Sequence, residues 1–196
     1  MPKLGMEPIR RAALVQAAIA EIGAAGSLDV TVTKIAKRAG MSSGLAHHYF
    51  GSKEAMFLAA MREILDQLGR RARAELSAAT TPRERLNGII AASFDPENFE
   101  PEIINAWLIF YVQAQNSAAA KRLLHIYIHR LHSNLVYCLK PLTTPAYAHQ
   151  IASTVGALID GLYIRQGLRE NPMDRFQTMG LVWEYLDLKL AQWPQQ

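Results

Sequence analysis

The chain has 196 residues, half of them apolar, with 21 basic against 17 acidic side chains and a net charge of +4. That length supports one large or two small domains with a true core, and the moderate charged fraction excludes a disordered chain. The single Cys138 excludes an intrachain disulfide framework or a cysteine-rich zinc site, no apolar run approaches the ~18 residues of a membrane span, and no signal-peptide core opens the chain, so the expectation is a soluble cytoplasmic protein.

The first seven residues read as a short arm, whose Lys3, with the Arg10-Arg11 pair, can touch phosphates or stay solvated. Pro8 suits the first turn of a helix running to about Ala25, and Gly26 ends it. Thr31 is the N-cap of a short second helix whose apolar face is Ile35, Ala36 and Ala39. Gly40 follows where a left-handed cap needs a residue without a Cβ. Met41 plugs the corner, and Ser42 caps a third helix reaching about Tyr49. Two helices joined by a short glycine-containing turn form a helix-turn-helix, whose second helix enters the DNA major groove. Candidate DNA contacts are Thr31, Thr33 and Lys34, then Ser42, Ser43, Gly44, His47, His48 and Tyr49. Ser52 caps the next helix, so that Lys53 and the new backbone N–H groups can seat a phosphate. The first sixty residues hold seven basic and four acidic side chains, hence +3 of the net +4. A basic end beside a nearly neutral body is the footprint of a DNA-binding module joined to something else.

From Lys53 a proline-free pattern runs to about Ala79, with Leu58, Met61, Ile64, Leu65 and Leu68 as its stripe. At ~1.5 Å per residue this helix is ~40 Å long and belongs to both halves of the molecule; Gly69 can let it bend. Thr81, Pro82 and Glu84 start a helix to about Ser93, and a polar loop between Pro96 and Pro101 follows. The next helix carries Ile103, Ile104, Trp107, Leu108, Phe110, Tyr111 and Ala114. Another, from about Ser117 to Lys140, is apolar on several sides and therefore central. Thr144-Pro145 begins a further helix, Asn171-Pro172 breaks it, and Asp174 caps the last. Ile151, Val155, Leu158 and Leu162 on one, and Val182, Trp183 and Leu186 on the other, form apolar stripes that need a partner surface; we assign them to a homodimer interface. The fold class is all-α, about nine helices, with a helix-turn-helix domain over residues 1–55 and a larger ligand-binding and dimerisation domain over 56–196.

The stretch Ile35-Ala36, Ala39-Gly40-Met41-Ser42, Gly44, Tyr49-Phe50 and Lys53 resembles the TetR family of bacterial repressors. The His-Tyr-Phe ending of the third helix, the opening Met1 to Met6, Ile9-Arg10-Arg11, and Ala157 to Leu162 are similar to a choline-responsive branch of that family, which controls glycine-betaine synthesis genes. The chain has His47-His48-Tyr49-Phe50 where the family usually has Tyr, any residue, His, Phe, so base preferences do not transfer. The resemblance implies a homodimer on palindromic double-stranded operator DNA, released by a small effector.

Trp107, Phe110 and Tyr111 share one helical face, which by spacing alone is ordinary core. Under the resemblance they become the aromatic wall of a choline site, because a quaternary ammonium is held by ring faces and a carboxylate. Tyr163 and Asp160 complete the candidate set. Asp160 sits in an otherwise apolar stripe and is either the counter-charge for a cation, a partner for an arginine of another helix, or exposed at a helix edge. His125, His129 and His132 share a face at a spacing able to hold a metal, but without a nearby carboxylate and with Lys121 beside them they are read as polar surface. There is no nucleophile elbow, phosphate loop or dinucleotide fingerprint, and the reading is a non-enzyme without cofactor or metal. Two alternatives stand: a regulator of an efflux or catabolic operon sensing another cationic or lipophilic compound, and a helical ligand-binding protein whose first motif no longer binds DNA.

Overall fold

The computed structural model describes residues 5–168 and 173–192, so the start of the arm and the Asn171-Pro172 break lie outside the described residues. Nine α-helices occur among them: α1 (Glu7–Ala25), α2 (Val32–Arg38), α3 (Ser43–Phe50), α4 (Lys53–Ala78), α5 (Pro82–Ser93), α6 (Pro101–Asn116), α7 (Ala118–Leu139), α8 (Pro145–Gly167) and α9 (Arg175–Ala191). None of these residues is in a strand. No helix among them is long and apolar enough to cross a membrane.

Polar caps set the helix starts, because the first backbone N–H groups of a helix lack internal partners. The hydroxyls of Thr31, Ser42, Ser52, Ser117 and Thr144 each accept from the backbone N–H three residues on. Thr81 with Glu84, and Asp174 with Gln177, close reciprocal capping boxes. Each such cap stabilises its helix by ~1 kcal/mol. Gly26 and Gly40 end α1 and α2 at φ of 61° and 68°, in the left-handed region that favours glycine.

The segment expected as a plain loop contains a short 3-10 turn, Pro96–Phe99, capped by Asp95. Its cause is tertiary: the Phe99 ring meets those of Phe94 and Tyr163, and Arg71 of α4 forms ion pairs with Asp95 and Glu97. Helix α4 runs unbroken through Gly69.

One apolar cluster extends from Leu14 of α1 to Leu186 of α9, so the helix-turn-helix and the larger helical body share a core. Helix α6 is the junction. Its Asn105 side-chain amide donates to the carbonyl of Gly23 on α1 at 2.9 Å, and a Cβ added at Gly23 would stand 2.2 Å from the carbonyl oxygen of Glu102. Toward its other end, the fully buried Phe110 meets Phe57 of α4 edge to face, and Ser117 donates to Glu54 at 2.7 Å.

Candidate functional site

The DNA-reading end is built by α1 to α3 and the start of α4. His47, His48 and Gly44 are exposed on α3, and Ser43 is half-buried. Ser42 is occupied as the cap of α3, and its hydroxyl proton remains free to donate. Tyr49 is half-buried and packs against the core, so its ring presents only part of its surface to a groove. Thr31 and Thr33 are exposed. Lys53 donates to the carbonyl of Leu28 at 2.6 Å, which fixes the ammonium at the head of α4 and leaves two of its three N–H groups for a phosphate.

Two side chains hold this end together in ways the sequence does not indicate: Glu21, and Arg11, which was expected at phosphates or in solvent. Glu21 of α1 is nearly buried and accepts from Lys34 at 2.9 Å and Arg38 at 3.0 Å. These hydrogen bonds, first from Lys34 and then from Arg38, hold its carboxyl below the usual carboxylate range against the opposing effect of burial. Glu21 therefore locks α2 onto α1, and Lys34 presents its charge from a fixed base. Arg11 donates to the Tyr49 carbonyl at 2.8 Å and lies over the Phe50 ring, 4.5 Å from its centroid. It clamps the last turn of α3, where carbonyls lack helical partners. A lone buried acid followed by basic residues at 34 and 38 was the only available signal for the first contact. Nothing local announces the second.

The effector end lies between α6, α7 and α8. Trp107 is buried, with ring centroids of Tyr111, Tyr127 and Tyr163 at 6.0, 4.8 and 6.4 Å. Phe110 stands edge-on to Trp107 and is wholly enclosed, so it backs the indole from behind and joins it to α4 instead of facing the site. The Tyr111 hydroxyl donates to the Asp160 carboxylate at 2.9 Å, and the Tyr163 hydroxyl donates to the Ser93 carbonyl at 2.5 Å. No ion pair to Asp160 occurs among the described residues, so the arginine alternative is replaced by a tyrosine. Burial raises the Asp160 carboxyl above its ordinary range, and the Tyr111 hydrogen bond pulls it partly back. Burial, then the charge of Asp160, pushes the phenols of Tyr111 and Tyr127 well up, so both stay neutral donors at any ordinary pH.

Tyr127 is the member missed from the sequence. It stands on α7 among Ile126, Ile128 and the histidines, far along the chain from the other rings. Only the packing of α7 on α6 brings it to Trp107. With Asp160 it borders a cleft of about 580 Å³ between α7 and α8, whose lip carries His125, His129 and His132. The His132 ring is 5.3 Å from that of His149. Three tyrosines thus gather on Trp107, and one of them, Tyr111, holds a carboxylate that has no ion-pair partner among the described residues; ring faces and an acid both favour positive charge.

Most of the stripe expected at a dimer interface is covered within a single chain. Ile151, Val155, Val182 and Leu186 have no exposed surface within a single chain, and Leu162 has 8%. They fill the protomer's own core between α8, α9 and the rest of the body, because a helix in this body must bury one face before it can offer another. Leu158 and Trp183 are half-buried. The free face of α8 runs through Ala157, Gly161, Ile164 and Leu168, and that of α9 through Leu181 and Leu188; of these side chains, Leu168 and Leu188 are the most exposed, at 75% and 57%.

Comparison with known proteins identifies the family and the fold. Residues 14–60 match the family of bacterial regulatory proteins of the TetR type, and residues 82–191 match the C-terminal domain of BetI-type transcriptional repressors. The chain is 52% identical over 194 residues to the HTH-type transcriptional regulator BetI of Brucella melitensis biotype 2, covering 99% of this chain and 98% of that one. It is 50% identical over 194 residues to the regulator of the same name from Agrobacterium fabrum, covering 99% and 94%. A regulator from Saccharomonospora viridis solved in complex with choline shares the fold, with a TM-score of 0.80 at 20% identity over 90% of this chain and 95% of that one. With a helix-turn-helix at one end and a helical body holding a cluster of aromatic rings at the other, the chain belongs to the TetR family of transcriptional regulators, in the group with a BetI-type repressor C-terminal domain.

Proposed function

We propose that this regulator is a homodimeric repressor of choline-to-glycine-betaine synthesis genes that binds a palindromic operator and leaves it when choline enters the box of Trp107, Tyr111, Tyr127, Tyr163 and Asp160. The observation that carries the reading is the carboxylate of Asp160, which accepts from Tyr111 beside the rings packed on Trp107 and has no ion pair among the described residues. A quaternary ammonium donates no hydrogen bond, so it needs what this site offers: π faces on several sides and one negative charge. The name borne by the Brucella and Agrobacterium relatives, and the choline in the Saccharomonospora structure, support the assignment. His47 and His48 read base edges, while Lys53 with the N-terminus of α4 holds a phosphate. The exposed faces of α8 and α9, including Ile164, Leu168, Leu181 and Leu188 beside Leu158 and Trp183, form the dimer contact.

Choline acts by preferring the conformation that does not fit the operator, since a ligand shifts an equilibrium only by its difference in affinity for the two states. Trp107 and Tyr111 lie on α6, which grips α1 at Gly23 and α4 at Phe57, so a shift of α6 reaches both supports of the recognition helix. Isothermal titration and operator-release assays test the proposal. Wild-type protein is expected to bind choline and to leave its operator. Trp107→Ala is expected to bind DNA normally and ignore choline, and Trp107→Leu to bind choline several-fold more weakly, in line with a cation–π contribution of ~0.5–2 kcal/mol. Failure of the wild type to bind millimolar choline would overturn the ligand; normal choline binding by Trp107→Ala would overturn the site.

A further inference from the structure

Outside the first sixty residues, the excess of positive charge sits on one helix. Residues 118–140 hold Lys121, Arg122, Arg130 and Lys140 and no acid, whereas residues 61–117 and 141–196 together hold ten basic and thirteen acidic side chains. Lys121, Arg122 and Arg130 are exposed on α7 and line one shallow surface, and Arg122 lines a second with the exposed Arg62 of α4. No acidic residue lines either surface. Arg62, Lys121, Arg122 and Arg130 form no ion pair among the described residues, whereas Arg70 of α4 pairs with Glu63, and Arg71 with Asp95 and Glu97. This basic strip begins at the DNA-reading end. Ser117, the cap of α7, donates to Glu54, the neighbour of Lys53 at the head of α4. Lys121 follows that contact by one helical turn, ~6 Å along the axis of α7, and Arg62 stands ~12 Å up α4 from Glu54.

We propose that Lys121, Arg122 and Arg62 form a second DNA contact, a strip on the effector body that takes phosphates of the duplex flanking the bases under the recognition helix. The inference rests on the reading that α3 and Lys53 meet the operator. Charge and place together select the occupant. Exposed cations on a convex helix face offer no pocket for a base, but they match the regular phosphates of a duplex, one negative charge per ~1.7 Å of axis. Ala118 and Ala119 are exposed beside them, so no bulky side chain at the start of α7 holds a backbone away. Unpaired cations side by side repel one another, and phosphates remove that cost while counterions are released from the duplex. The strip reads no sequence. It lengthens the footprint and makes affinity depend on the DNA beyond the operator. Tyr127, which packs on Trp107, stands on the same helix, so α7 links the strip to the aromatic cluster.

The test is fluorescence anisotropy of the full-length protein on its operator in two lengths, over a series of salt concentrations. One duplex carries only the bases protected by the recognition helices; the other extends that core on each side by about 15 base pairs of unrelated sequence, ~50 Å at ~3.4 Å per pair. The wild type is expected to bind the longer duplex about tenfold more tightly, with a steeper salt slope. Lys121→Gln/Arg122→Gln is expected to keep its melting midpoint and its affinity for the core, and to lose most of the gain from the flanks. Its salt slope on the longer duplex should be shallower by about 2 per protomer, at ~0.9 per phosphate. Lys53→Ala is expected to weaken both lengths by the same factor. Equal wild-type affinity for the two lengths, or an equal loss on both in the double variant, would overturn the strip. The two readings fail separately. A recognition helix that does not read the operator would bind a scrambled core as well as the true one, whereas the strip is judged by the gain from the flanks on either core.

Discussion

Asp160 is where stability and ligand recognition pull against each other. Burial raises its carboxyl above the unfolded value near 3.8, so the folded protein holds this proton more tightly than the unfolded chain does. The ionised form therefore costs stability at neutral pH; that cost diminishes as pH falls through the raised folded value and is gone below 3.8. Asp160→Asn keeps an acceptor for the Tyr111 hydroxyl while removing the charge. Without ligand at pH 7.5 it is expected to melt a few degrees higher than the wild type, on a scale of about 2–4 °C per kcal/mol for a chain of this size, and to ignore choline. A lower melting point in scanning calorimetry would contradict the account. Choline affinity in the wild type should weaken on acidification, beginning above pH 3.8, as the counter-charge is lost. At the other end of the molecule, His48→Ala should relax preference at particular base pairs. Lys53→Ala should weaken all sequences alike and lower the salt slope by about 1. A gel-shift series over several salt concentrations and operator variants separates the two, and identical losses in both mutants would refute the division of labour.

Helices meet their partners through faces the sequence only half reveals. The helix starts were legible because Thr31, Ser42, Ser52, Thr81 and Asp174 announce themselves as caps, and the stripes between them have the helical period. Trp107, Tyr111 and Asp160 were expected as a set through resemblance to choline-responsive repressors, and in the structure Tyr111 touches both of the others. Periodicity could not say which of two apolar faces on α8 and α9 is inside. Val182 and Leu181 are adjacent in sequence, yet one has no exposed surface and the other has 43%. Nor could it find Tyr127, whose place depends on a crossing of α6 and α7 that no local rule encodes. The two adjacent residues now make a paired test. Val182→Arg buries a charge inside the protomer and is expected to cost several kcal/mol and the fold itself. Leu181→Arg is expected to keep native helix content by circular dichroism but sediment as a monomer. A dimeric Leu181→Arg would move the interface off α9.

Taken whole, the molecule is a single continuous core with functions at its two ends, joined where α1 packs on α6 and α4. Gly23 of α1 meets the backbone of α6 so closely that even a methyl group would collide with the Glu102 carbonyl. Gly23→Ala is expected to lower stability by about 1–3 kcal/mol, the usual cost of overpacking, and to alter operator affinity without any change to a DNA-facing residue. Wild-type stability and operator affinity in thermal melts and gel-shifts would show that the close approach is not needed. The same seam bears on how such regulators can be recombined. Grafting this reading head onto the sensor body of a distant relative would set Gly23 and Asn105 against surfaces never matched to them. A working chimaera must therefore carry α1 and the first turns of α6 from one parent, so the inheritable cassette is discontinuous in sequence, and a simple cut after α3 should yield a hybrid whose sensor no longer speaks to its DNA.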